Sequence, residues 1–124
     1  MRLKLIVAAV AASVPAMASA QSMSAESFFQ KAQALQRKGM MAMFSSDVKT
    51  LMKEAKAAGE TARAQRLAAA KANQKPRYCP PAGSQRLGSD EFMQRLGAIP
   101  RGDRLRIDMT EAMIRVLAGK FPCR

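Results

Sequence analysis

A chain of 124 residues without one histidine has no imidazole to act as a base or to hold a metal, which closes off much of enzyme chemistry before any motif is sought. Its 21 basic residues stand against nine acidic ones, a net charge of +12, so acidic partners are expected. Tryptophan is absent and there are only six other aromatic residues, so the core is expected to be modest and in need of a staple.

The N-terminus carries an address. Arg2 and Lys4 give a short positive segment, residues 5–14 an uncharged apolar run, and Ala18-Ser19-Ala20 the small residues that signal peptidase needs. Cleavage is expected before Gln21, with residues 1–20 removed and residues 21–124 left as one small domain in the periplasm or beyond. The apolar run is too short for a membrane span and Pro15 interrupts it. No later segment is apolar enough to cross a membrane, so the mature protein is expected to be soluble. The leader holds two of the basic residues and none of the acidic ones, so the mature chain keeps a net charge of +10.

A first helix is predicted over residues 25–38. Ser24 can cap it, Glu26 suits its positive end, and Lys38 with Gly39 marks its exit. Phe28, Phe29, Ala32 and Leu35 recur at spacings of three and four and make its inward face. The next segment holds Met40, Met41 and Met43. Thioethers suit Cu(I), but without histidine the preferred reading is that flexible methionines fill an irregular corner between two helices. An adaptable apolar surface for a partner is the intermediate reading, and no cofactor is expected.

The second helix is predicted over residues 47–73, with Ser46 as its cap. Val48, Leu51, Met52, Ala55, Ala62 and Ala69 share one face. Lys49, Lys53, Lys56, Glu60, Arg63 and Lys71 lie opposite. The apolar face fades to alanine, Gly59 weakens the middle by about 1 kcal/mol, and Arg66 falls on the apolar side. The first half is therefore expected to pack firmly and the distal half to project or fray. The basic stripe, Lys49, Lys53, Lys56, Arg63 and Lys71, suits a polyanion. No interleaved aromatics support nucleic acid, and a solvated face is the preferred reading.

Prolines and glycines make residues 73–88 a loop. Ser89 is expected to cap a short third helix, with Asp90 and Glu91 in its first turn, Phe92, Met93 and Leu96 inward, and Gly97 and Pro100 at its end. A fourth helix begins near Asp108, where Asp108 and Glu111 resemble a capping box, with Met109, Ala112, Met113, Val116 and Leu117 inward. The fold class is therefore all-α, a small four-helix domain. In an exported chain its two cysteines, Cys79 and Cys123, are expected to pair. The bridge would close about 45 residues into a stapled hairpin and contribute roughly 4 kcal/mol in the chain-entropy model. A disulfide also removes the best nucleophiles.

Tyr78-Cys79-Pro80-Pro81, Phe92, Leu96, Ile99-Pro100, Ala112, Val116-Leu117 and Phe121-Pro122-Cys123 form a pattern. It resembles the C-terminal half of the Tai-type immunity proteins of bacterial type VI secretion. The resemblance implies a small exported helical protein that binds and blocks a peptidoglycan amidase effector in the periplasm. It covers about 45 of the 104 mature residues; the first half departs from the pattern, with a long basic helix where further cysteines are usual.

No nucleophile elbow, phosphate loop or paired-cysteine metal motif is present, so a non-enzyme is expected. The partner expected first is a protein, an acidic secreted hydrolase. The alternatives are an anionic lipid or glycan of the envelope held by the basic helix, or unfolded clients held by the methionine segment. The surfaces expected to carry binding are Lys49, Lys53, Lys56, Arg63 and Lys71 with Met40, Met41 and Met43.

Overall fold

The computed structural model describes residues 23–83 and 85–124. The expected leader and its cleavage point lie outside them. The described chain is mostly helical: α1 (Ala25–Lys38), a 3-10 segment (Gly39–Phe44), α2 (Ser46–Lys71), α3 (Ser89–Ala98), α4 (Arg101–Arg104) and α5 (Met109–Lys120). Among the described residues no strand forms, and one isolated antiparallel bridge joins Ser24 to Asp108. No described helix is long and apolar enough to cross a membrane.

Capping sets most boundaries. The Ser24 hydroxyl accepts from the Ser27 N–H at 3.2 Å, and the Asp108 carboxylate accepts from the Glu111 N–H at 2.9 Å. The Glu111 side chain does not complete the expected box; it turns instead to Arg77 and Arg115. Two expected caps move by one residue. Ser45, with extended backbone, accepts from the Asp47 N–H and caps α2, while Ser46 is already helical. Gly88 rather than Ser89 precedes α3. A short helix was not anticipated after Pro100: the Pro100 carbonyl accepts from Asp103 and Arg104, winding residues 101–104 into the turn that makes α4.

The core joins α1, α2, α3 and α5. Phe28, Leu51, Leu96, Met109, Met113 and Val116 are buried in one cluster, and Phe28 meets Phe92 edge to face at 5.9 Å between centroids. Gly97 permits the α1–α3 approach, since a Cβ there would stand 3.2 Å from the Phe29 ring. The N-terminal end of α1 is fixed by hydrogen bonds from Ala25 N–H to the Ile107 carbonyl and from Met109 N–H to the Met23 carbonyl, each 3.0 Å.

Cys79 and Cys123 form the expected disulfide, with Cα atoms 5.0 Å apart. The Cys79 N–H donates to the Phe121 carbonyl at 2.8 Å, so backbone and bridge together tie the loop before α3 to the end of α5.

The long helix buries Leu51 and Ala58 in its first half and Ala62 just past its middle. Beyond Ala62 no residue of α2 is buried, and Arg66 and Ala69 are half-buried. Ala58 and Ala62 are buried, and these small side chains let α2 and α5 come close along the region where the apolar face had seemed to fade. In the first half, Leu51 is buried but Met52 is 69% exposed. Alanine on both sides of a contact shortens the distance between helix axes, and the larger side chains near the start of α2 stand over a gap.

Candidate functional site

That gap is an open apolar groove of about 700 Å³. Phe28, Ala32 and Leu35 of α1 line one side, and Val48, Leu51, Met52 and Ala55 of α2 another. Phe92 and Met93 of α3, with Met113 and Leu117 of α5, line the rest of its apolar surface, and Gln36, Gly59, Leu87, Ser89 and Asp90 complete the lining. The α2 row from Val48 to Gly59 runs about 17 Å along the groove at 1.5 Å per residue. The apolar lining residues of α1, α2, α3 and α5 belong to inward faces in the sequence pattern, whereas Ser89 and Asp90 were read only as the start of α3. Periodicity tells which side of a helix is apolar, not how near the next helix comes, so the opening itself had no signal in the sequence.

The methionine segment lies where α1 passes into α2, beside the groove-lining residues Gln36 and Val48. It does not fill a corner. Met40, Met41, Met43 and Phe44 are all exposed, Met40 at 84% and Phe44 at 86%. Six residues in a 3-10 turn place side chains in three rows around a thin rod, too many directions for one neighbouring surface to cover. Four large apolar side chains in five residues, open to water and next to an apolar groove, form a larger exposed patch than scattered surface residues produce.

The basic stripe divides. At about 100° per residue, Arg63, Lys56 and Lys49 lie about 65°, 85° and 105° from the mean direction of the groove-lining row, while Lys53 and Lys71 lie about 145° away. All five are exposed, and none forms an ion pair among the described residues. Lys49 and Lys56 therefore stand along the groove rim, Lys53 and Lys71 face away from it, and Arg63 turns toward a second pocket lined by Arg66 and Arg86.

A scan against protein-family models, a search of curated proteins and a search of solved structures each find no match to this chain.

On the side of α1 turned from the groove lies a buried ion pair whose acid, Glu26, is only 5% exposed. Arg104 donates from Nε to its Oε2 at 2.6 Å, and Gln30 donates to its Oε1 at 3.1 Å. The Arg104 hydrogen bond is the largest influence holding the Glu26 carboxyl below its ordinary range, outweighing the opposite effect of burial. Arg104 also donates to the carbonyls of Ile99 at 2.6 Å and Gly97 at 3.1 Å, and its guanidinium lies 4.3 Å from the Phe29 ring centroid. One buried arginine thus joins α1 to the α3–α4 corner. In sequence Glu26 looked like a helix-dipole charge alone, because its partner is 78 residues away.

Among the described residues no group of three or more Asp, Glu, Cys or His comes together to hold a metal ion. What the arrangement offers is an open, mainly apolar trough with an exposed apolar platform at one end and unpaired cations toward one rim. Such a surface can receive an amphipathic segment of another protein.

Proposed function

We propose that this is an exported, non-enzymatic binding protein that captures and blocks an acidic hydrolase, as the immunity proteins resembled by its C-terminal half do. The single observation that carries this reading is the open groove flanked by the exposed methionine platform and by the unpaired Lys49 and Lys56. A trough about 17 Å long accommodates roughly three turns of a partner's helix. Its apolar floor would bury the partner's apolar face, and the rim cations would select an acidic flank and speed encounter. The disulfide supports residence in an oxidising compartment, where the sequence places the chain after loss of residues 1–20.

The test uses the oxidised mature chain, residues 21–124, mixed with the secreted hydrolases encoded beside its gene. The expected result is a stable complex with one of them and loss of that enzyme's activity. Met52→Asp, at an exposed groove position, should abolish the complex while leaving the melting temperature nearly unchanged. A protein that neither binds nor protects against any such hydrolase would sink the proposal.

A further inference from the structure

A second concavity, of about 640 Å³, lies on the far side of Leu87 and Leu117, which line both it and the groove. Its volume is on the scale of a small-ligand site. Arg63, Arg66 and Arg86 all line it, and no acidic residue does among the described residues. Elsewhere among the described residues Arg77, Arg95, Arg101, Arg104, Arg106 and Arg115 form ion pairs, while Arg37 and Arg124 do not. None of the three pocket arginines does. The Nε of Arg66 is buried from solvent and has no hydrogen-bond partner. An unmatched buried donor on a cation is costly, and a guanidinium fork matches the two oxygens of a carboxylate or phosphate.

The walls are built, not incidental. Arg63 and Arg66 are three residues apart and so share a face of α2. The Arg66 guanidinium lies 5.5 Å from the ring centroid of buried Tyr78. Arg86 comes from the loop, where the Lys120 ammonium donates to its carbonyl at 2.9 Å. Tyr78, Pro80 and Phe121 supply apolar wall, and the disulfide with the Cys79–Phe121 hydrogen bond holds these together.

We infer that this pocket is a binding site for an oxyanion, carboxylate or phosphate, carried on an apolar or ring-bearing body. The three guanidiniums take the charged head, Arg66 Nε gaining the acceptor it lacks, and Tyr78 and Phe121 flank the body. The inference is independent of the hydrolase reading, because the groove and the pocket use different α2 residues.

The oxidised mature chain has one tyrosine and no tryptophan, so the Tyr78 ring signals in an NMR spectrum are assignable. They report on this pocket and on a smaller neighbouring one that Tyr78 and Arg66 also line, and the Arg86→Gln variant below tells the two apart, since Arg86 lines only the first. Calorimetric titration with phenylacetate, phenyl phosphate and neutral phenylacetamide at low ionic strength gives the affinities. The expected result is saturable binding of phenylacetate or phenyl phosphate, with shifted Tyr78 ring signals, and none of phenylacetamide. Which anion binds distinguishes a carboxylate source from a phosphate source. Arg66→Met and Arg86→Gln should each weaken binding about tenfold or more, and Lys53→Gln should leave it unchanged. Phenylacetamide binding as well as the anions, no saturable binding of either anion, or full affinity in a folded Arg86→Gln protein would each overturn the inference.

Discussion

The hairpin from Cys79 to Cys123 and the long helix α2 carry similar charges and use them in opposite ways. In the hairpin every cation but Arg86 reaches a carboxylate (Arg95, Arg101, Arg104, Arg106, Arg115 and Lys120), and Glu91, Asp103 and Glu111 each accept from more than one cation. On α2, Lys49, Lys53, Lys56, Arg63, Arg66 and Lys71 reach none among the described residues. Apolar side chains follow the same division. The hairpin buries Leu96, Ile99, Met109, Met113 and Val116, while the start of α2 and the segment before it leave Met40, Met41, Met43, Phe44 and Met52 in water. Charge used for architecture is paired; charge left unpaired, beside uncovered apolar surface, is available to something else. Both proposed binding surfaces draw on this unpaired charge of α2.

The comparison breaks most severely at Arg104, the side chain through which the hairpin holds α1. Removing it leaves the Glu26 carboxylate buried, with only Gln30 and the exposed Arg101 near it, and frees two carbonyls. Arg104→Met is expected to cost about 3–5 kcal/mol in urea denaturation, because half of a buried ion pair is worse than none. The staple comes next. Replacing both cysteines, Cys79→Ser with Cys123→Ser, is expected to cost about 2–4 kcal/mol, and the Tyr78 ring environment should change with it. A loss below about 0.5 kcal/mol in either variant would mean that the hairpin is not the structural half.

How much of this was legible in the sequence depends on the range of each interaction. Ser24 and Asp108 were readable as caps because a cap acts on a backbone N–H two or three residues on. Cys79 and Cys123 were readable because two cysteines have only one intramolecular pairing. Glu26 was read for its local role and missed for its distant one, since nothing near it names Arg104. Large side chains near the start of α2 were equated with firm packing, yet Met52 is 69% exposed. Ala58 and Ala62 show the opposite case, in which small side chains allow the closest approach. The groove is the space left between helices whose separate faces were each read correctly. Arg86, in a loop with no periodicity, carried no signal, whereas Arg66 was visible as a cation on an apolar face.

Acid offers a graded version of the same contrast. Glu26, Glu91 and Glu111 are held below the ordinary carboxyl range, first by hydrogen bonds from Arg104, Lys120 and Arg77 respectively. A carboxyl whose folded value lies below its unfolded value adds stability above the unfolded value, about 4.3 for glutamate. That stability is lost as pH falls through the folded value. Unfolding free energy is therefore expected to hold from pH 7 to about 5 and to fall progressively below about 4.3. In Glu91→Gln with Glu111→Gln the fall should be shallower, with the remaining slope due to Glu26. An acid profile unchanged by that double substitution would place the titrating groups elsewhere.

The smallest effect on folding should be the largest on binding. Lys49→Glu with Lys56→Glu reverses the charge of the groove rim at two exposed positions that touch no acidic partner, so stability should move by no more than about 0.5 kcal/mol. The same pair should slow association with an acidic protein partner about tenfold or more at low salt, with the difference shrinking as salt rises past the screening range. Lys53→Glu with Lys71→Glu carries the same change in net charge on the side of α2 turned from the groove. Long-range attraction depends mainly on total charge, whereas contact along the rim depends on position. If both pairs slow association equally, α2 acts only as a charged rod. If the rim pair alone also speeds dissociation, the groove is where the partner sits.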